Sequence, residues 1–151
     1  MLFIPSLSIS TEVPIVTYTI MIGVGKVSAD LVDFPLMINL ADFPPSFWSQ
    51  VNSTGSNIRA YAPNGVTFIP HYVTDVDKTQ SVGRMFVKKT LLTASNNAVI
   101  IKILGIGTPA LETTDPNGRD AVLGEIDNPS EAWLAAVNDN VQNPSTFYSV
   151  A

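Results

Sequence analysis

The sequence predicts an all-β protein: an antiparallel β-sandwich, jelly-roll-like, with an extended N-terminal arm and an irregular C-terminal tail containing one short helix. Three observations carry this expectation. Val, Ile and Thr together supply 42 of the 151 residues, and β-branched side chains fit a pleated surface better than a helix. Apolar and polar residues alternate with a period of two in several segments. Turn residues separate those segments at short intervals, the rhythm of a sandwich rather than of a parallel α/β sheet.

Taken in order, residues 13–25 alternate, with Val16, Tyr18, Ile20 and Ile22 on one face and Ile15, Thr17, Thr19 and Met21 on the other. Residues 34–40 form a second strand, with Pro35 near its start, where a missing N–H is tolerated. Residues 44–51 suit one helical turn, because Pro45 and Ser46 favour a helix start. Asn64-Gly65 lies between two alternating segments, 57–62 and 66–70, which is a strong hairpin signal. The chain stays extended through His71–Thr74, turns at 75–81, and makes further strands at 82–91 and 98–104.

After Gly107 the texture changes. Residues 108–128 are polar and rich in turn formers. A short helix is expected at about 129–138, with Asn128 as N-cap, Pro129 at the first helical position and Glu131 in the first turn. The division is therefore an arm at 1–12, a sandwich at 13–107 and an acidic extension at 108–151.

Composition excludes several functions. The chain has no cysteine and a single histidine, His71, so disulfides, thiolate chemistry, zinc-cysteine sites and multi-histidine sites are out. Net charge is −5, the wrong sign for general nucleic-acid binding. The excess is local: residues 109–151 carry Arg119 against seven carboxylates. No segment has the ~18 apolar residues of a membrane helix. The start lacks a basic stretch, so no secretory leader is read there. Charged residues are only 14% of the chain, against about 25% in ordinary soluble domains.

Candidate sites are few. Trp48 beside Phe43 and Phe47 reads first as a small satellite core, and with Asn52 and Asn57 it is also the one combination of an aromatic with amides that could form a ligand platform. Asp115, Asn117 and Asp120 surround Gly118 in a tight loop and make a weak calcium candidate, although Pro116-Asn117-Gly118 is also good turn chemistry. His71 reads as a surface or half-buried strand histidine. Catalysis would need it joined to a nucleophile and an acid, with Asp75 and Asp77 nearest in sequence. Lys88 and Lys89 point to opposite faces of a strand and read as edge protection. Asn52-Ser53-Thr54 is a formal glycosylation acceptor. No cofactor and no catalytic residue is expected. Leu2, Phe3 and Ile4 in the arm, and Trp133, Phe147 and Tyr148 near the other end, are expected at subunit contacts, with docking on its own sandwich the alternative for Trp133.

Several stretches, Lys26 to Ile38, Ser56 to Ala60, Asn64-Gly65, Ile69 to His71, Phe86 to Lys88 and Asp115 to Val122, occur in one order over most of the chain. In that order they resemble a domain family of unknown function found in phage virion and tail proteins and in multidomain surface proteins, often ahead of a concanavalin A-like lectin domain. The resemblance implies a sandwich used as a structural or attachment module. The sequence departs from it at Asn57, where the family tends to be acidic, and at Ile103-Leu104-Gly105, where aromatics are common. The expected role is a non-enzymatic phage virion structural protein, a decoration or cement protein of the capsid or a tail or fibre component. Its expected partners are copies of itself, as a homotrimer or another closed homo-oligomer, and other virion proteins, with neither nucleic acid nor membrane. The alternative is a carbohydrate-binding module for a host glycan.

Overall fold

A computed structural model describes residues 16–23, 25–108 and 129–151. It contains two antiparallel sheets facing each other across one core, the sandwich that the sequence predicts. The strands are β1 (Val16–Ile22), β2 (Leu31–Asn39), β3 (Ile58–Tyr61), β4 (His71–Asp77), β5 (Val82–Leu92), β6 (Ala98–Ile103) and β7 (Tyr148–Val150). Among the described residues, three helices accompany them: α1 (Pro45–Gln50), α2 (Glu131–Gln142) and α3 (Pro144–Phe147). One sheet runs β3-β6-β1-β7 and the other β2-β5-β4.

The period-two pattern places the core. Tyr18, Ile20 and Ile22 of β1 face inward with Val99, Ile101 and Ile103 of β6, while Thr17 and Met21 remain exposed. From the opposite sheet come Phe34, Leu36 and Ile38 of β2 with Met85 and Val87 of β5. Beyond β2, a 3-10 turn at Leu40–Asp42 leads to α1. Pro45 opens that helix, where its absent N–H is no loss. Phe43 and Phe47 pack against each other with ring centroids 4.3 Å apart. Tyr18 meets both edge-on and closes that end of the sandwich.

The Asn64-Gly65 turn forms as the dipeptide predicts. Gly65 has φ 72°, a conformation that glycine adopts without a Cβ penalty. Asn64 Oδ1 accepts from the N–H groups of Val66 and Thr67. The returning limb is looser than the expected strand, holding β3 through a Tyr61–Phe68 bridge and bonds from Ala62 and Ile69. Pro70 follows, and the chain crosses to the second sheet as β4.

The C-terminal residues are the main departure from the expected boundaries. No periodicity marks 142–151, yet β7 pairs with β1, Ile22 opposite Tyr148 and Ile20 opposite Val150. Thr19 and Ala151 exchange both backbone hydrogen bonds. The sandwich is therefore completed by residues placed outside it on sequence grounds. Three residues are too short for alternation to register, and a helix immediately precedes them. Helix α2 begins at Glu131, with Ser130 as its cap: Ser130 Oγ accepts from Trp133 N–H at 3.1 Å. Its last residue is Gln142, beyond the expected end. Asn128, the expected cap, lies outside the described residues.

Each sheet edge is covered or blunted. β2 is covered by side chains from the C-terminal segment. Asn140 accepts from Met37 N–H at 2.7 Å and donates to Met37 C=O at 2.9 Å. Tyr148 Oη accepts from Asn39 N–H, and the Trp133 indole donates to Val32 C=O. β3 is covered by residues 67–69, β7 is three residues long, and β4 is broken by a bulge at Asp75, where φ is 58°. Such devices remove templates for pairing with a foreign strand.

Candidate interaction surfaces

The proposed platform of Trp48, Asn52 and Asn57 is a structural joint. Trp48 sits on α1 with its ring packed edge-on against Phe47, and it is 7% exposed. A buried ring has no face to offer a ligand, so the platform expectation is corrected. The burial of Phe43, Phe47 and Trp48 agrees with the small core that the sequence favoured.

The two asparagines do come together, and the reason is internal. Asn57 is fully buried. Its Oδ1 accepts from Asn52 N–H at 3.0 Å, and its Nδ2 donates to the carbonyls of Gln50 and Leu104. Asn52 Oδ1 accepts from Thr54 and Ser56, while its Nδ2 donates to Ser56 Oγ and the Ile106 carbonyl. These bonds tie the end of α1 to the end of β6. Between them, Gly55 has φ 75°, and a Cβ there would lie 2.9 Å from methyl groups of Val73 and Val76. With its amide engaged in this way, Asn52 is not presented as a glycosylation acceptor.

His71 is more deeply buried than the sequence reading placed it, at 1% exposure. Its Nδ1 lies 2.7 Å from the Ile69 carbonyl, and its ring packs on Phe68. The acids nearest in sequence are committed elsewhere: Asp75 pairs with Arg84, and Asp77 caps the turn at Thr79 and Gln80. His71 therefore serves the crossover between the sheets.

Lys88 and Lys89 also need correction, because β5 is the central strand of its sheet and edge protection has no meaning there. Lys88 lies on the outer face, 3.8 Å from Asp33. Lys89 points inward in line with Met85 and Val87 and is 4% exposed. Its Nζ donates to Asn96 Oδ1 at 2.8 Å and to the Ala98 carbonyl at 2.9 Å, bracing the β5–β6 turn. Burial disfavours the charged amine and lowers its pKa to about 8.

Of the expected subunit contacts, Phe147 and Tyr148 are buried within their own chain. Phe147 stacks on Phe34 with centroids 6.0 Å apart. Tyr148 Oη donates to Asp42 at 2.7 Å. Burial is the larger influence on this phenol and the Asp42 bond the next, and together they raise its pKa well above the ordinary value. Trp133 packs edge-on against Phe34. Within the single chain, all three side chains pack on the body of the sandwich. Leu2, Phe3 and Ile4, like Asp115, Asn117 and Asp120, lie outside the described residues.

The surface that remains carries few charges and separated apolar groups. Val32 is 60% exposed and faces Leu91 across the β2–β5 pair. Leu134 and Val141 stand out from α2. Tyr72 and Phe86 stack across β4 and β5, 5.1 Å apart. Beside them a groove of about 440 Å³ runs between the sheet and the end of α2, lined by Met37, Asn39, Asp75, Arg84, Val141 and Pro144 among others. Among the described residues no helix is long and apolar enough to cross a membrane. Compared with known proteins, the chain matches no family model, no curated protein and no solved structure.

Proposed function

We propose that this chain is a non-enzymatic structural protein of a phage particle, a homo-oligomeric sandwich that decorates or cements the capsid or forms part of the tail or its fibres. One observation carries the reading furthest: buried polar side chains on both sides of the core are spent on backbone groups of other segments. Asn57 joins α1 to β6, Asn140 covers β2, and Lys89 braces a turn. That arrangement serves rigidity, the property a shell component needs. The low charge, the blunted edges and the resemblance to virion-associated domains support the same reading. A surface poor in ions loses little solvation when it is covered by neighbours, and blunted edges limit uncontrolled strand addition.

The test is location. Purified particles that contain the chain, labelled with antibody against it and imaged, should show regularly spaced label on the head or the tail. Recovery only in the soluble lysate, with no label on particles, would sink the proposal.

A further inference from the structure

The C-terminal clasp, residues 130–151, is a self-contained unit. It has its own N-cap, two helices and a strand, and it grips the body along one side only. Its anchors are Trp133 to Val32, Lys26 to Asp139, Asn140 to Met37, Tyr148 to Asn39 and Asp42, and the pairing of β7 with β1. The body partners in these bonds lie within residues 19–42, and Phe147 fills a position against Phe34 in the core.

The two ends of the connection into the clasp lie at opposite ends of the sandwich. The chain leaves β6 beside Ser56, whose Oγ bonds the Thr108 carbonyl, at the α1 end of the sandwich. The clasp begins beside Val32, at the opposite end, where β2 starts. The crossing is at least as long as β2, about 30 Å at ~3.3 Å per residue. Residues 109–128 have a contour of up to about 70 Å. A connection whose contour is about twice the length of β2 can deliver the clasp to its own body or to the body of an adjacent copy. Every bond made in one arrangement is reproduced in the other, which is the condition for exchange of an identical element between protomers.

We propose that in the assembled oligomer this clasp is exchanged, each copy donating residues 130–151 to the β1–β2 side of its neighbour. This rests on the homo-oligomeric reading above and names the element that holds the copies together. Exchange joins subunits through a core aromatic and a strand ladder, contacts far stronger than a rim of surface residues.

The absence of cysteine permits a direct test. Met21 and Ser149 are opposed on β1 and β7, and both are exposed. Residues directly opposed on antiparallel strands are close enough for a disulfide. The full-length double variant Met21→Cys/Ser149→Cys is oxidised at the concentration where light scattering reports the oligomer, then run on a denaturing, non-reducing gel. Exchange predicts covalently linked multimers that collapse to monomer on reduction and are absent from either single variant. Oligomers that yield only an intrachain disulfide overturn the exchange and leave the oligomeric reading intact. A monomer at all concentrations overturns both. The pair Thr19→Cys/Ala151→Cys, two residues along the same ladder, provides the same readout if the first pair impairs folding.

Discussion

At the scale of single residues, this molecule places polar groups where the backbone would otherwise go unsatisfied. Asn57 is the clearest case, with three bonds to two segments, residues 50–52 and Leu104, and no exposure. Asn57→Asp keeps the size but removes both donated bonds and sets a carboxylate against two carbonyls. Leaving buried groups unpaired costs about 1–3 kcal/mol each, so we expect a loss of several kcal/mol in chemical denaturation. A variant as stable as the parent would show that the joint contributes nothing. Lys89 makes a prediction about pH. Its folded pKa is depressed from 10.5 to about 8, so between those values the unfolded chain holds more protons than the folded one. Stability must therefore rise as pH increases through that window. Lys89→Met removes the slope, and the stability difference, parent minus variant, should grow between pH 8 and 10 in thermal melts. A constant difference would refute the assignment.

At the scale of elements, the clasp decides whether the sandwich closes. Phe147 stacks on Phe34 and is fully buried, although it belongs to a four-residue helix that could not stand alone. Replacing a buried Phe with Ala costs about 3–5 kcal/mol. Phe147→Ala should therefore lower the melting temperature by many degrees and raise amide exchange in β1 and β2 before β4 and β5. Uniform loss of protection would mean that the clasp is no separate unit. Tyr148 supports the same closure at high pH. Its pKa lies above the ordinary phenol value, so its contribution is complete below pH 10 and declines as pH climbs further. Tyr148→Phe should remove that alkaline decline while costing its two hydrogen bonds.

At the scale of the whole molecule, cohesion comes from apolar packing and backbone satisfaction. The ion pairs among the described residues, Lys26–Asp139, Arg84–Asp75 and Lys88–Asp33, all have partly exposed side chains. Such pairs contribute about 0–1 kcal/mol each and are screened by salt. The folded chain, and the oligomer proposed for it, should therefore keep nearly the same midpoint in thermal melts from low to high salt. A large drop with added sodium chloride would reveal an electrostatic interface instead.

What the sequence determined by itself was local and periodic. Alternation in 13–25, 82–91 and 98–104 assigned strands, and in the first of them the residues that share a face, because the side-chain period of a strand can be read without knowing its partner. Asn64-Gly65 placed a hairpin, and Pro45 the start of α1, because backbone stereochemistry acts within a few residues. Only the tertiary structure decided what those elements meet. Lys89 became an internal brace because β5 is central. Trp48, for which the sequence favoured core over platform, packs edge-on against Phe47. Phe147 and Tyr148 became part of the sandwich because β1 and β2 each had an edge to satisfy. Burial and edge pairing depend on residues a hundred positions away, and no local pattern contains that information.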